Sequence, residues 1–278
     1  MELEQSVSQH YAHGTLGKAV FDALAASGKD LAHLTTEDLG PVDEFHIGGR
    51  PATIKFAQAL SFAPNQRLLD IGSGLGGASR YFAQAWGCEV TGVDLTEDYV
   101  GVAKSLAERV GLDDKVSYLC GSALDLPFDR QSFDGAYMMH VGMNIADKAK
   151  LFAEMHRVLK PGARFGIYDV MRENSEEALS FPVPWASGPE TSFVEPPARY
   201  LELLEGTGFS VLSHRSRRER ALQFFQQMRE KAAAAGGVPP LGIHILMGST
   251  APQKIANMID NISRRLIAPV EIIGERRA

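Results

Sequence analysis

Between residues 67 and 171, short apolar runs alternate with longer segments whose apolar residues recur every three to four positions. No other feature restricts the fold as much. "RLLDIG" is a short apolar run ending in glycines, as a strand buried in a parallel sheet requires. "GASRYFAQAWG" predicts a helix stopped by Gly87. "CEVTGVDL" reads as a second strand, "EDYVGVAKSLAERVGL" as a second helix and "KVSYLCGSA" as a third strand. "FDGAYMMHV" follows as a fourth strand, "ADKAKLFAEMHRVLKPGA" as a helix with a Pro-Gly stop, and "RFGIYDVM" as a fifth strand. Strands and helices alternating at this spacing form βαβ units, hence an α/β, Rossmann-like, mostly parallel sheet with helices on both faces. Such sheets bind ligands at the carboxyl ends of their strands, and here that edge carries Asp70 to Gly77, Asp94, Ser122 and His140.

Three regions lie outside the alternation. Residues 1 to about 60 are helical in tendency and include "DEFHIGGRPAT". "SFPVPWASGPETSFVEPP", Ser180 to Pro197, holds too much proline for a helix or a central strand, and it sits where a lid or substrate loop belongs. Residues 218 to 265 read as two helices separated by "GGVPPLGIH", followed by a strand-like "RLIAPVEIIGERR". No linker-like break separates these regions. The expectation is therefore one domain, with a helical cap over 1–60, a ligand-binding core over 61–170, and a substrate loop, helical insertion and last strands over 171–278.

The formal net charge of −6 argues against a dedicated nucleic-acid binder, whose surface is basic. The one basic run, "HRSRRER" from His214 to Arg220, reads as a solvated strand end or helix start rather than a polyanion site. The two cysteines, Cys88 and Cys120, both lie in apolar, strand-like contexts without a C-x-x-C. Read as buried free thiols, they fit a reducing compartment. The polar start "MELEQSVSQHY" lacks the apolar stretch of a signal peptide, and no apolar run approaches the ~20 residues that span a bilayer. A cytoplasmic location with no membrane span is expected.

"LLDIGSGLGGASRY" contains G-x-G-x-x-G at Gly72, Gly74 and Gly77, a turn shared by many nucleotide folds. Asp70 separates the readings. A carboxylate at the end of the first strand repels a pyrophosphate, whereas a sulfonium amino acid, with its ammonium and positive sulfur, is compatible with it.

The ordered series "LLDIGSGLGG", "VTGVDLT", "GSALDLPF", "SFDGAYMMH" and "RVLKPGARFGIYD" resembles the class I S-adenosylmethionine-dependent methyltransferases over about residues 45 to 170. Within that superfamily the chain looks most like the small-molecule group of sarcosine/dimethylglycine and phosphoethanolamine N-methyltransferases and the quinone-biosynthesis C-methyltransferases. "FHIGGRPAT" before the first strand adds to the likeness. The resemblance implies a seven-stranded sheet and S-adenosylmethionine as cofactor, with S-adenosylhomocysteine as product. It implies Asp94 as acceptor for the ribose hydroxyls (or as a cap on the next helix), with Leu95 against the adenine. Gly72, Ser73 and Gly74 would line the methionine part, and Asp70 would act partly through water or a backbone N–H. After the third strand Ser122 stands where the family often has an acid, so Ser122 and the Ala123 N–H are the expected adenine contacts. His46 matches a position that holds the methionine carboxylate.

For the transfer itself the candidates are Tyr11, His140 and Asn144. The phosphoethanolamine enzymes pair an N-terminal Tyr with a His after strand four, but that His position is Asn144 here, with His140 four residues earlier. Trp185 is expected either to close over the acceptor or to pack within its loop. The implied function is methyl transfer to a small metabolite, with nitrogen placed first and with oxygen or carbon of a small aromatic, quinone-type or natural-product acceptor second. A non-catalytic S-adenosylmethionine binder and an NAD-dependent oxidoreductase are the readings from other classes. No metal is implied, and self-association is left open.

Overall fold

The computed structural model describes residues 2–12, 14–174, 176–234 and 236–278. The chain opens with four helices, α1 (Glu2–Tyr11), α2 (Leu16–Ala26), α3 (Thr36–Asp43) and α4 (Gly49–Leu60). The alternating part follows as β1 (Arg67–Ile71), α5 (Gly77–Trp86), β2 (Glu89–Asp94), α6 (Glu97–Arg109), β3 (Val116–Cys120), β4 (Phe133–Met139), α7 (Lys148–Val158) and β5 (Leu159–Arg172). The last third comprises α8 (Pro197–Gly206), β6 (Phe209–Ser216), α9 (Arg218–Ala234), α10 (His244–Met247), α11 (Ala251–Ser263) and β7 (Ile267–Arg276).

Among the described residues these strands form one seven-stranded sheet, ordered β3-β2-β1-β4-β5-β7-β6. The first five pair in parallel, and β7 runs antiparallel between β5 and β6. The order reverses between β1 and β4, so the crevice at their carboxyl ends is the switch point where such sheets hold ligands. β1 and β4 are nearly continuous in apolar burial, because helices cover both of their faces. One face buries Phe133, Phe152 and Phe165 under α7 and α8; the other buries Phe56, Phe82 and Tyr137 under α4 and α5.

Three details differ from the sequence expectation. The helix expected to run to the Pro-Gly pair ends at Val158. Lys160, Pro161 and Gly162 belong instead to β5, whose pairing with β4 shifts register between Phe133 and Gly135. A residue before proline is pushed toward extended backbone, which ends the helix before the Pro-Gly pair. Only Cys88 is a buried thiol; Cys120 is exposed at the carboxyl end of the edge strand β3, although by alternation it follows the buried Val116 and Tyr118. α8 and the body of β6 carried no distinct signal in the local pattern. The basic run spans the end of β6 and the start of α9, where Arg217 chelates Glu271 and Arg218 donates to the Ile262 and Ser263 carbonyls.

Candidate active site

The turn after β1 needs glycine for a steric reason. Gly72 has φ +67, and a Cβ there would lie 2.3 Å from a Val141 methyl. The backbone of this turn is already committed. Gly72 and Ser73 N–H donate to the Val93 carbonyl at 2.8 and 3.2 Å, and Gly74 N–H donates to Asp94 Oδ2 at 2.8 Å. Asp94 Oδ1 accepts from the Thr96 N–H at 2.9 Å, so this one carboxylate ties the first turn to the second. Burial pushes Asp94 up from the ordinary carboxylate range, and the Thr96 and Gly74 bonds only partly oppose it. Asp70 is buried and accepts from Ser79 Oγ at 2.6 Å. Burial pushes it up to about 7 against that bond.

Around these residues lies a cavity of 620 Å³, within the ordinary range of ~300–1,000 Å³ for ligand sites. Asp70, Gly72, Ser73, Gly74, Asp94, Leu95, Ser122, Ala123, His46, His140, Tyr11 and Asn144 all line it, so the fold brings together the cofactor and transfer candidates named from sequence, while Trp185 lies outside it. α1 lies along its mouth and supplies Leu3, Glu4, Val7 and Tyr11.

Their partners refine the individual roles. Ser122 Oγ donates to the Glu4 carboxylate, and Ser8 Oγ donates to the Leu95 carbonyl at 3.4 Å, so α1 is seated on the loops expected to hold adenine. His46 does not extend a free Nε2 into the cavity: that atom meets Glu44 Oε2 at 2.8 Å and Thr53 Oγ1 at 3.0 Å. Burial alone would raise Glu44, but its bonds with His46 and Thr53 and the nearby Arg50 charge hold it below the ordinary range. Tyr11 and Asn144 do meet: the Asn144 amide nitrogen donates to the Tyr11 oxygen at 3.1 Å. Burial raises Tyr11 above the ordinary phenol range in spite of the Asn144 contact, which keeps it protonated and a hydrogen-bond donor near neutral pH. His140 sits at φ +58, its N–H bonded to the Tyr168 carbonyl at 2.7 Å. Its Nε2 accepts from the Ile47 N–H at 3.4 Å, which places the proton of the neutral ring on Nδ1. Burial lowers its pKa well below the usual histidine value, and the neighbouring His46 adds to that.

A second cavity of 60 Å³ adjoins the first through Tyr11, Phe45, His46 and His140, which line both. Trp185 lies in its wall, almost fully buried, with its indole N–H donated to Ser192 Oγ at 2.9 Å. Sequence reasoning missed Asp43, Glu44 and Phe45, which line the first cavity just before "HIGG". It also missed Arg80, whose guanidinium is buried against Asp43 at 2.7 Å. An arginine at helical spacing after a glycine turn reads as a solvated residue, and only the packing of α3 onto α5 gives it a buried partner.

The cavity's chemistry suits a cationic ligand. Two carboxylates, the buried Asp70 and the half-buried Asp94, face it without a basic side chain paired to either among the described residues. The turn amides that would otherwise cradle a pyrophosphate are spent on Val93 and Asp94.

Comparison with known proteins places this geometry. Residues 69–167 match the family model described as a methyltransferase domain. A sterol 24-C-methyltransferase of Gibberella zeae is 35% identical over 113 residues, 41% of this chain and 30% of that protein. An O-methyltransferase of Aspergillus sclerotiorum is 29% identical over 210 residues, 72% of this chain and 76% of that one. Geranyl diphosphate C-methyltransferase from Streptomyces coelicolor shares the fold with a TM-score of 0.72 at 17% identity, over 99% of this chain and 98% of that one. The chain spans 30% of the length of the sterol methyltransferase it matches. The fold is Rossmann-like, an arrangement this chain shares with that geranyl diphosphate C-methyltransferase. The matched residues, 69–167, run from β1 into β5.

Proposed function

We propose that this protein transfers a methyl group from S-adenosylmethionine to a small molecule bound beside it. The observation that carries the reading is the 620 Å³ cavity at the β1/β4 switch point, where Asp94 closes β2 and Asp70 closes β1. Asp94 would accept from the ribose hydroxyls, Leu95 would lie against the adenine, and Ser122 with the Ala123 N–H would border its edge once Glu4 yields. Gly72, Ser73 and Gly74 would line the methionine part, with Asp70 beneath. Bound there, the cofactor supplies an electrophilic methyl on a sulfonium. The protein's remaining tasks are to hold the acceptor about 3 Å from that methyl and to exclude water. Tyr11 and Asn144 close the cavity from α1 to the turn after β4, and His140 positions an acceptor group from the other side. Among the described residues no helix is long and apolar enough to cross a membrane.

Calorimetry with S-adenosylmethionine, S-adenosylhomocysteine and NADH, followed by a labelled-methyl assay over phenols, quinone precursors, amines and thiols, tests the reading. Binding of the first two and a labelled product are expected. NADH binding without S-adenosylmethionine binding ends it, and cofactor binding with no labelled product across the panel favours a non-catalytic binder.

The same titration repeated across pH tests Asp70. With its pKa raised from the ordinary 3.8 to about 7, Asp70 contributes stability that is fully present below about pH 4 and lost as pH rises through 7. A cationic ligand favours the ionised form, so binding releases a proton. Affinity for S-adenosylmethionine should therefore climb between pH 5 and 7, by at most about tenfold per unit, and level off above. Asp70→Asn should flatten that slope. A slope unchanged in the variant assigns the proton to another group.

A further inference from the structure

The second cavity names the acceptor class, given that the first cavity holds the methyl donor. Its fourteen lining residues include no Asp, Glu, Lys or Arg. Met143, Trp185, Phe224, Phe225, Met247 and Met258 contribute to the wall from the turn after β4, the proline-rich loop, α9, α10 and α11. We propose that the methyl acceptor seats an uncharged apolar body, aromatic or prenyl-like, in this cavity, with its reactive oxygen or carbon at the Tyr11–Phe45–His46–His140 boundary.

Three observations converge on that occupant. The four boundary residues are the ones shared with the first cavity, so a group transferred from the donor must cross between them. The charged groups near the second cavity are already engaged elsewhere. Glu44 is held by His46, Thr53 and Arg50, and Arg217 chelates Glu271. The Lys254 ammonium, on α11, points to the Met247 carbonyl and His10, each at 3.5 Å. An ammonium, carboxylate or phosphate in the cavity would therefore be desolvated without an oppositely charged side chain in its lining, at a cost of several kcal/mol. An apolar group entering it would instead gain ~25 cal/mol per Å² removed from water.

The size of the cavity points the same way. At 60 Å³ it is several-fold below the ~300 Å³ at which ligand pockets begin, so an occupant must widen it. Three of the wall residues are methionines, whose unbranched thioether chains re-pack at small cost. The transfer balances simply. An electron pair on the acceptor oxygen or carbon forms the bond to the methyl carbon, the S–CH3 pair returns to sulfur, and the acceptor's proton passes to water.

The chain has two tryptophans, so Trp86→Phe leaves Trp185 as the only indole. Trp86 is half-buried on α5, away from both cavities. With S-adenosylhomocysteine bound, 4-nitrotoluene should quench Trp185 saturably, at least tenfold tighter than 4-nitrobenzoate or 4-nitrobenzylammonium. Phe224→Ala, at a half-buried position in the wall, should change the affinity for 4-nitrotoluene and leave that for S-adenosylhomocysteine unaltered. Equal or tighter binding of either charged probe, or no saturable quenching by any, overturns the proposal. Failure of S-adenosylhomocysteine to bind in calorimetry is a separate outcome, and it overturns the donor reading on which this one rests.

Discussion

Asp94→Ala should weaken S-adenosylmethionine binding by about a hundredfold or more while leaving the melting temperature unchanged or raised. The carboxylate is the acceptor assigned to both ribose hydroxyls. Hydrogen bonds to a charged group are worth roughly 1.5–3 kcal/mol each, so losing two exceeds the ~2.7 kcal/mol that a hundredfold represents. The stability expectation has the opposite sign, and the reason is visible in the protein. Burial disfavours the charge of Asp94 more than its bonds from Thr96 and Gly74 favour it, so removing that charge relieves the folded state near neutral pH. Asp94→Asn separates the contributions. It keeps one acceptor oxygen but turns an amide nitrogen toward the Gly74 or Thr96 N–H, so it should fall between wild type and alanine in affinity. Calorimetry and thermal melts on the three proteins decide the matter. Unchanged affinity in the alanine variant would mean that the ribose lies elsewhere. A large fall in melting temperature would mean that Asp94 is a structural tie between the first two turns rather than a binding group held against the fold's preference.

The parts of this protein that were readable before folding are those whose signal is local. β1, β2 and β4 are apolar on both faces and bounded by glycines or a helix N-terminus, so their strand character and the position of their carboxyl ends follow from a few consecutive residues. Asp70, Asp94, Ser122 and His140 could be placed on one edge for the same reason. What stayed hidden depends on pairs far apart in the chain. The Pro-Gly pair looked like a helix stop because proline ends helices, yet here it continues an irregular strand start opposite Phe133. Cys120 looked buried because apolar residues flank it, and only the sheet order shows that β3 is an edge. Tyr11 and Asn144 are 133 residues apart, and their contact requires α1 to lie across the crevice. The second cavity draws its wall from Tyr11 to Met258, with no spacing that any one segment displays. His46 is the subtler case. Its place at the cavity was legible, but its commitment to Glu44 depends on Thr53 one helical stretch later.

Arg80 carries the largest expected effect on stability. Its side chain and that of Asp43 are both fully buried, and Nη2 donates to Asp43 Oδ2 at 2.7 Å. The remaining contacts are poor: Nη1 reaches the Ala103 carbonyl at 3.5 Å, and Nε has no hydrogen-bond partner. A buried pair of this kind is weak evidence for net stability, since the desolvation of two ions offsets much of their attraction. Breaking it from one side is another matter, because Arg80 would lose its carboxylate, and Asp43 would keep only the longer contact of Oδ1 with Arg50 Nη2 at 3.9 Å. Arg80→Met should therefore destabilise the fold by about 3–5 kcal/mol, and Asp43→Asn by a comparable amount. The double variant should recover more than half of that loss, since no unpaired ion remains. Urea unfolding read as midpoint and slope measures all three, with an unchanged slope required for the comparison to hold. Additive losses in the double variant would show that the two side chains act independently, with Arg80 held by packing against α6 rather than by its carboxylate. Non-additivity would instead identify the pair as the clasp between α3 and α5. It would also explain what keeps Glu44 and Phe45, which directly follow α3, at the cavity wall.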